Sequence, residues 1–336
     1  MDSDLKQINT LAEGLMAGER RALARAITLI ESTRADHRRQ SAELLRQIGD
    51  RGASGVDAAL RIGLSGTPGV GKSTFIEAFG MYLVDQGLKV AVLAVDPSSA
   101  LSGGSILGDK TRMERLARHP RAFIRPSPSR SELGGVARRT RETVRLVEAA
   151  GFDVVLVETV GVGQSETMVA EMTDIFTLLI APAGGDELQG VKRGIMEIAD
   201  LIVVNKADGE LLPVARATQS DYAGALKLMR RREFDPEGFP KVLTASAIAG
   251  TGLEEVWAAV RELADWRRAE GWHDKRRGEQ ARLWLGRALE HAAVEMVTKD
   301  ARVAAALPGL QSAVDAGELA PDAAVDKLLS VFRNGS

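Results

Sequence analysis

Eight consecutive residues carry the first recognisable chemistry in this chain. Gly66-Thr67-Pro68-Gly69-Val70-Gly71-Lys72-Ser73 fits the pattern G-x-x-x-x-G-K-[ST]. Its glycines let backbone N–H groups wrap phosphate oxygens. Lys72 adds a point charge toward the β and γ oxygens, and Ser73 offers a hydroxyl to Mg2+. Ile62 and Leu64 just upstream read as a strand. Ser73 to about Asp85 reads as a helix whose N-terminus adds donors and a favourable dipole, so nucleotide contacts are expected from Gly66 through Thr74. The glycine order, G-x-x-G-x-G, is a poor fit to the dinucleotide fingerprint G-x-G-x-x-G.

A second cluster addresses the base. Asn205-Lys206-Ala207-Asp208 ends an apolar run, Leu201–Val204. Asp208 can accept from guanine N1–H and the exocyclic amine. Adenine lacks that donor pair and would leave a buried carboxylate unsatisfied. Asn205 can fix the loop, and the Lys206 stem can cover the base. Ser246, Ala247 and Ile248 follow the next run and are placed to offer backbone N–H groups to guanine O6. GTP is therefore expected over ATP.

Carboxylates come next. Val154–Val157 runs into Glu158, with Gly161 beyond it, where many GTPases read D-x-x-G. Glu158 could hold Mg2+ directly or through water, and the Gly161 N–H could meet the γ-phosphate. Asp96 ends the run Val90–Val95, and Asp109 follows the Gly/Ser-rich stretch 102–108. Ser73, Asp96, Asp109 and Glu158 make up the expected metal-linked set. Val162 stands where a water-orienting Gln would favour fast hydrolysis, and Gln164 lies farther on. Slow hydrolysis, accelerated by a partner that orders the switches, is the expectation.

These residues need a scaffold. Between about 57 and 250, runs at 61–66, 90–96, 153–158, 175–181, 201–205 and 241–245 alternate with segments long enough for crossover helices. That rhythm predicts an α/β fold with a mainly parallel sheet covered by helices on both faces. Leu5, Ile8, Leu11 and Leu15 sit at helical spacing, as do Leu23, Ile27 and Ile30; Gly49–Gly55 breaks the pattern. Leu253, Val256, Val260 and Leu263 form another helical stripe, and Pro308 and Pro321 are expected to punctuate a final pair of short helices. The division expected is an N-terminal helical extension (1–56), a P-loop GTPase domain (57–252) and a C-terminal helical region (253–336).

Composition narrows the function classes. The 336 residues contain no cysteine, which excludes disulfides, thiolate metal sites and a cysteine nucleophile and fits a reducing cytoplasm. A net charge of −2 gives no global basic field for nucleic acid. The most apolar stretch, 175–183, is far below the roughly 20 residues of a bilayer span, and the polar opening carries no secretory signal. A cytoplasmic protein with neither nucleic acid nor membrane as partner is the expectation. Arginines are dense between Lys110 and Arg145; they read as solvated helix faces or as a face for an acidic partner or an electrostatic aid to the triphosphate, and Lys275-Arg276-Arg277 reads as a solvated face. Trp257, Trp266, Trp272 and Trp284 read as anchors of helix packing or of a subunit interface.

Taken together, the chain resembles the GTPases associated with adenosylcobalamin-dependent methylmalonyl-CoA mutase, the MeaB/MMAA type that includes ArgK-like transport kinases. The resemblance rests on residues 65–74, 95–99, 103–113, 125–133, 157–166, 185–192 and 205–208. The runs 158–165 and 186–192 are more specific than the phosphate loop, and the likeness covers essentially the whole chain. It implies a homodimer with a C-terminal dimerisation arm, GTP/GDP and Mg2+ as cofactors, and a chaperone role in loading and protecting the mutase. An adenosyltransferase is a further partner it admits. It also implies switches at 103–113, 158–166 and 184–194, with Asp96, Asp109, Glu158 and Lys192 as switch and metal-linked residues. Lys72, Asp96, Glu158 and Lys192 are then the expected catalytic set. Two other functions are compatible with a phosphate loop. A nickel-insertion GTPase would need soft or imidazole ligands, and the four histidines, 37, 119, 273 and 291, are scattered. A phosphotransferase would need an acceptor pocket with a general base, and none is evident.

Overall fold

The computed structural model describes residues 2–32, 34–52, 59–95, 113–125, 133–159, 165–182, 193–229 and 232–333. The chain forms two compact units, residues 1–277 and 278–336.

The first unit begins with three helices, α1 (Asp2–Met16), α2 (Arg20–Glu31) and α3 (Ala35–Gly52). Of the residues the spacing marks, Ile8 and Leu15 on α1 and Leu23, Ile27 and Ile30 on α2 are buried, whereas Leu11 is half-buried and Leu5 is exposed. Next come β1 (Leu60–Gly66), α4 (Lys72–Asp85), β2 (Val90–Val95), α5 (Glu114–Arg118) and β3 (Ala122–Arg125). The chain continues through α6 (Leu133–Ala149), β4 (Val154–Thr159), α7 (Ser165–Ala170), β5 (Ile175–Ile180), α8 (Arg193–Ile198) and β6 (Leu201–Val204). It finishes with α9 (Leu212–Lys227), β7 (Lys241–Thr244), α10 (Leu253–Ala269) and α11 (Trp272–Thr298).

The sheet has seven strands in the order β3-β2-β4-β1-β5-β6-β7, and every pairing is parallel. All residues of β1, β2, β4, β5 and β6 are buried. Successive side chains point to opposite faces, so both faces are covered, as the continuous Val/Ile/Leu runs require. Of the seven strands, β3 is the one the apolar pattern did not announce. Its four residues, Ala-Phe-Ile-Arg, sit in an arginine-rich stretch, and pairing with β2 rather than length makes it a strand. From β1 the chain first adds strands on one side (β2, β3, β4) and then on the other (β5, β6, β7). The crevice at the C-terminal end of β1 is thus a topological switch point, where α/β sheets bind ligands.

The N-terminal helices are tied to the sheet by arginines from the dense stretch. Arg125 pairs with Glu31, Arg145 donates to the Leu45 carbonyl at 3.1 Å, and Arg141 is buried. These arginines are structural rather than a solvated face. The same correction applies to 275–277. Arg276 donates to the Thr173 and Ala170 carbonyls, both at 3.1 Å, and Arg277 binds Asp174, Glu148 and the Ala59 carbonyl. A charge run at helical spacing does not reveal which of its members meets buried carboxylates across the fold. Trp257 lies in the core of the first unit, edge-on to Phe79 with centroids 6.3 Å apart.

In the second unit, α12 (Ala301–Asp315) and α13 (Pro321–Arg333) pack on each other, burying Val303 and Ala324. Asp300 caps α12 by accepting from the Arg302 and Val303 N–H groups. Pro308 does not break the chain as expected: α12 runs through it. Pro321 occupies the first helical position of α13, where its missing N–H costs nothing. The α11 residues of this unit expose a row of apolar side chains, among them Leu285 (71%) and Leu289 (68%). Among the described residues, no helix is long and apolar enough to cross a membrane.

Candidate functional site: a nucleotide loop at the sheet switch point

The loop between β1 and α4 is shaped by three glycines. A Cβ on Gly66 would stand 2.5 Å from the Leu179 carbonyl of β5. Gly69 and Gly71 have φ of 84° and 87°, the left-handed region that glycine adopts without strain. Buried Val70 anchors the loop in the core, while Thr67, Pro68 and Gly69 stay exposed. Gly71 caps α4 with no side-chain hydrogen bond, so no capping side chain competes for the N–H groups of the first turn. Lys72 folds back over the loop, and its Nζ donates to the Gly66 carbonyl at 3.2 Å. Lys72 and Ser73 are half-buried and Thr74 is exposed, at the mouth of the crevice.

The residues expected to read the base are locked onto this loop. Asn205 Nδ2 donates to the Val70 carbonyl at 3.0 Å, and Lys206 Nζ donates to the Gly69 carbonyl at 2.7 Å. Lys206 has φ of 59°, a left-handed conformation uncommon for a residue with a side chain. Asp208 accepts a hydrogen bond from Ser246 Oγ, and that Oγ in turn accepts from the Ala249 N–H at 3.0 Å. The Ala247 N–H donates to Asn205 Oδ1 at 3.3 Å, and the Ala207 N–H to the Ala245 carbonyl at 3.0 Å. One amide, Asn205, therefore couples the phosphate loop to the 246–248 turn. Ile248 is exposed. Of the two N–H groups at 247 and 248, that of Ala247 already has a partner on Asn205.

Glu158 is buried near the end of β4, in register with Leu64 on one side and Ala94 on the other. Beside it, Ser65 and Thr159 share a buried hydroxyl–hydroxyl bond of 3.1 Å that joins β1 to β4. The hydroxyl of Ser73 and the carboxylate of Glu158 are hard oxygen donors. With phosphate oxygens and water they suit Mg2+, which prefers one or two protein ligands of that kind. Among the described residues no three His, Asp or Glu side chains gather into a metal-holding group. Asp96, Asp109 and Lys192 lie outside the described residues, as do Gly161, Gln164 and most of the three expected switches.

Two contacts near the site escaped the sequence reading. Glu77, one turn into α4, accepts from the Arg115 N–H at 2.8 Å and the Leu116 N–H at 3.3 Å. It thus caps α5, just beyond Met113. Leu116 packs so tightly on α4 that a Cβ on Gly80 would meet its Cδ2 at 2.5 Å. Gly252 has φ of 78°, and a Cβ there would collide with the Thr244 carbonyl, so it sets the turn that carries Ser246. The left-handed cap glycine had a sequence signal, because it precedes a helical stripe; Glu77 had none, because its partners lie 38 and 39 residues away. A cavity of about 990 Å3 beside the start of β7, lined by Leu226, Phe239 and Val242, touches none of these loops.

A family model described as "Methylmalonyl Co-A mutase-associated GTPase MeaB" matches residues 23–302. The chain belongs to this family. As a MeaB-family protein it is a P-loop GTPase in fold and activity class. It is 51% identical over 284 residues to a protein named GTPase ArgK from Escherichia coli, covering 84% of each chain. It is 45% identical over 339 residues to the mouse protein named methylmalonic aciduria type A homolog, mitochondrial, covering 99% of this chain and 81% of that one. A solved structure titled LAO/AO transport system kinase matches with a TM-score of 0.73, at 38% identity and 98% coverage of both chains.

Proposed function

We propose that this MeaB-family GTPase gates the loading of adenosylcobalamin onto an adenosylcobalamin-dependent acyl-CoA mutase, methylmalonyl-CoA mutase, and protects that enzyme from inactivation. The observation that carries the nucleotide half of this reading is the coupling of Asn205 and Lys206 to the phosphate-loop backbone. That coupling supports a site in which base and phosphates are read as one ligand. Membership of a family named for its association with the mutase supports the partner half.

In this mechanism the α4 N-terminus and loop N–H groups hold the β and γ phosphates. Lys72 stabilises the charge that develops on them in the transition state. Asp208 selects guanine through two acceptors, and Ser246 keeps that carboxylate oriented. Mg2+, held by Ser73 and linked to Glu158, Asp96 and Asp109, would neutralise phosphate charge when bound. Lys192 belongs with Asp96 and Glu158 to the switch residues that answer to the partner. With Val162 where a water-orienting Gln would stand, hydrolysis is slow until the mutase orders the switches.

The exposed apolar row on α11 supports a homodimer formed through 278–336, because an isolated helix would not keep such side chains in water. The absence of cysteine supports a protein that acts on a cofactor-holding partner in a reducing cytoplasm rather than carrying the metal itself. An adenosyltransferase would join the same loading step. The functional division is an N-terminal extension to about 56, a GTPase domain from 57 to 252, and a C-terminal region from 253 that holds the arm.

The deciding experiment compares GTP and ATP hydrolysis with and without purified methylmalonyl-CoA mutase, together with complex formation in each nucleotide state. GTP preference, a rate raised by the mutase and a nucleotide-dependent complex are expected. An unchanged GTP rate and no complex would remove the mutase from the reading while leaving the GTPase in place.

A further inference from the structure

A groove of about 460 Å3 runs between α1, α2 and the start of α3, away from every residue assigned to nucleotide. Its apolar lining comes from Ile8 and Leu11 on α1 and from Ala24 and Leu29 on α2. Arg21 and Arg25, one helical turn apart, stand on its α2 wall, both exposed. Among the described residues neither has a hydrogen bond or an ion pair. No carboxylate lines the groove. Of the acids within residues 20–40, Glu31 is paired with Arg125 and Asp36 with Arg34. Residues 20–40 hold six arginines (20, 21, 25, 34, 38, 39) against those two acids, in a chain whose net charge is −2.

We propose that this groove is a docking site for an acidic amphipathic helix of a protein partner. The apolar floor matches the buried stripe of such a helix, and the two unpaired guanidiniums match carboxylates flanking that stripe. Other occupants fit less well. Single-stranded nucleic acid is held by stacking on a series of aromatic side chains, and no Phe, Tyr or Trp lines the groove, whose one ring is the His37 imidazole. A membrane-binding surface presents protruding apolar side chains to lipid, whereas Ile8 is buried and Leu11 and Leu29 are half-buried in a concavity. The site is independent of which protein the GTPase serves, so it stands or falls apart from the mutase reading.

The test uses the full chain and a fluorescein-labelled amphipathic peptide of about 15 residues, with leucines at helical spacing flanked by glutamates. A second peptide carries lysine in place of each glutamate. The glutamate peptide is expected to bind saturably, more weakly at high salt, and about tenfold or more weakly to the Arg21→Glu/Arg25→Glu double variant. The lysine peptide is expected not to bind the parent protein. Both substitutions are on exposed side chains outside the nucleotide loops, so basal GTP hydrolysis and the melting temperature stay unchanged and serve as the folding control. No saturable binding, or equal affinity for parent and double variant, overturns the proposal. Retention on phosphatidylserine vesicles or on single-stranded RNA that the double variant loses, with no peptide binding, overturns it in favour of that occupant.

Discussion

At the C-terminal ends of β1 and β6, two lysines reach back to loop carbonyls; at the N-terminal ends of the strands, arginines are locked to carboxylates. Lys72 and Lys206 donate to the backbone carbonyls of Gly66 and Gly69. At the other end, Arg267 binds Asp200 and Asp235, and Arg232 joins both. Arg277 bridges Asp174 and Glu148, and Arg61 pairs with Glu148 at 2.7 Å. Asp174 and Asp200 also accept the Arg61 and Phe176 N–H groups, satisfying the start of β1 and of β5. Burial pushes the carboxyls of Asp174 and Asp200 up, but the guanidiniums around them override it and hold both below the usual carboxylate range. One end thus turns lysine side chains onto the backbone of the loops. The other spends its charge on fastening α10 and the start of α11 beneath the sheet. A lysine resting on a carbonyl can move to a phosphate at small cost, whereas a buried guanidinium between two carboxylates cannot leave without stranding them.

That contrast can be broken at either end. The largest effect is expected from Arg267→Ala, which strands Asp200 and Asp235: a loss of about 3–5 kcal/mol of stability, read by denaturant unfolding. A loss below about 1 kcal/mol would mean that the network is not the fastening it resembles. Lys72→Ala removes a loop charge instead. Turnover should fall by a factor of about 100–1,000, some 3–4 kcal/mol of transition-state stabilisation, with the melting temperature unchanged. A parallel drop in stability would show that the two ends are not separate. Asp208→Asn leaves the loop in place but loses the double acceptor, weakening GDP binding by about 1–3 kcal/mol without strengthening stability. Unchanged affinity in calorimetry would withdraw the base assignment. The smallest effect is expected from Glu77→Ala, about 1 kcal/mol for a lost helix cap; Glu77→Gln, which still accepts an N–H, should restore most of it.

The sheet base also sets an acid limit. The carboxyls of Asp174 and Asp200 lie lower folded than unfolded, so their contribution is complete above the unfolded carboxylate range, near pH 4. It is lost as pH falls through their folded values. Acid unfolding should therefore shift to higher pH in Arg277→Met, which removes a guanidinium from Asp174. An unshifted midpoint would exclude Asp174 from the acid transition.

Much of the site was legible because its residues are local. The phosphate loop is eight residues in a row, and Asn205 to Asp208 are four, so spacing alone was enough to mark them as candidates. Six of the seven strands were legible as short apolar runs, five of them wholly buried in the fold and β7 half-buried. What escaped was non-local: Glu77 reaching α5, Ser65 meeting Thr159, and the arginines of 275–277 finding Asp174 and Glu148. β3 escaped because four residues carry no periodicity of their own.

By itself, then, the sequence determined the kind of ligand and the architecture that presents it. Glycine spacing, strand-length apolar runs and an N-K-x-D tetrapeptide act through short-range backbone geometry, which survives in a linear reading. Only the tertiary structure decided which charges are free. Arg21 and Arg277 are the same residue type on similarly polar helices, yet among the described residues the first has no hydrogen bond or ion pair, while the second is fixed between carboxylates. The difference comes from what folding brings within hydrogen-bond range and removes from solvent, and no local pattern carries that information.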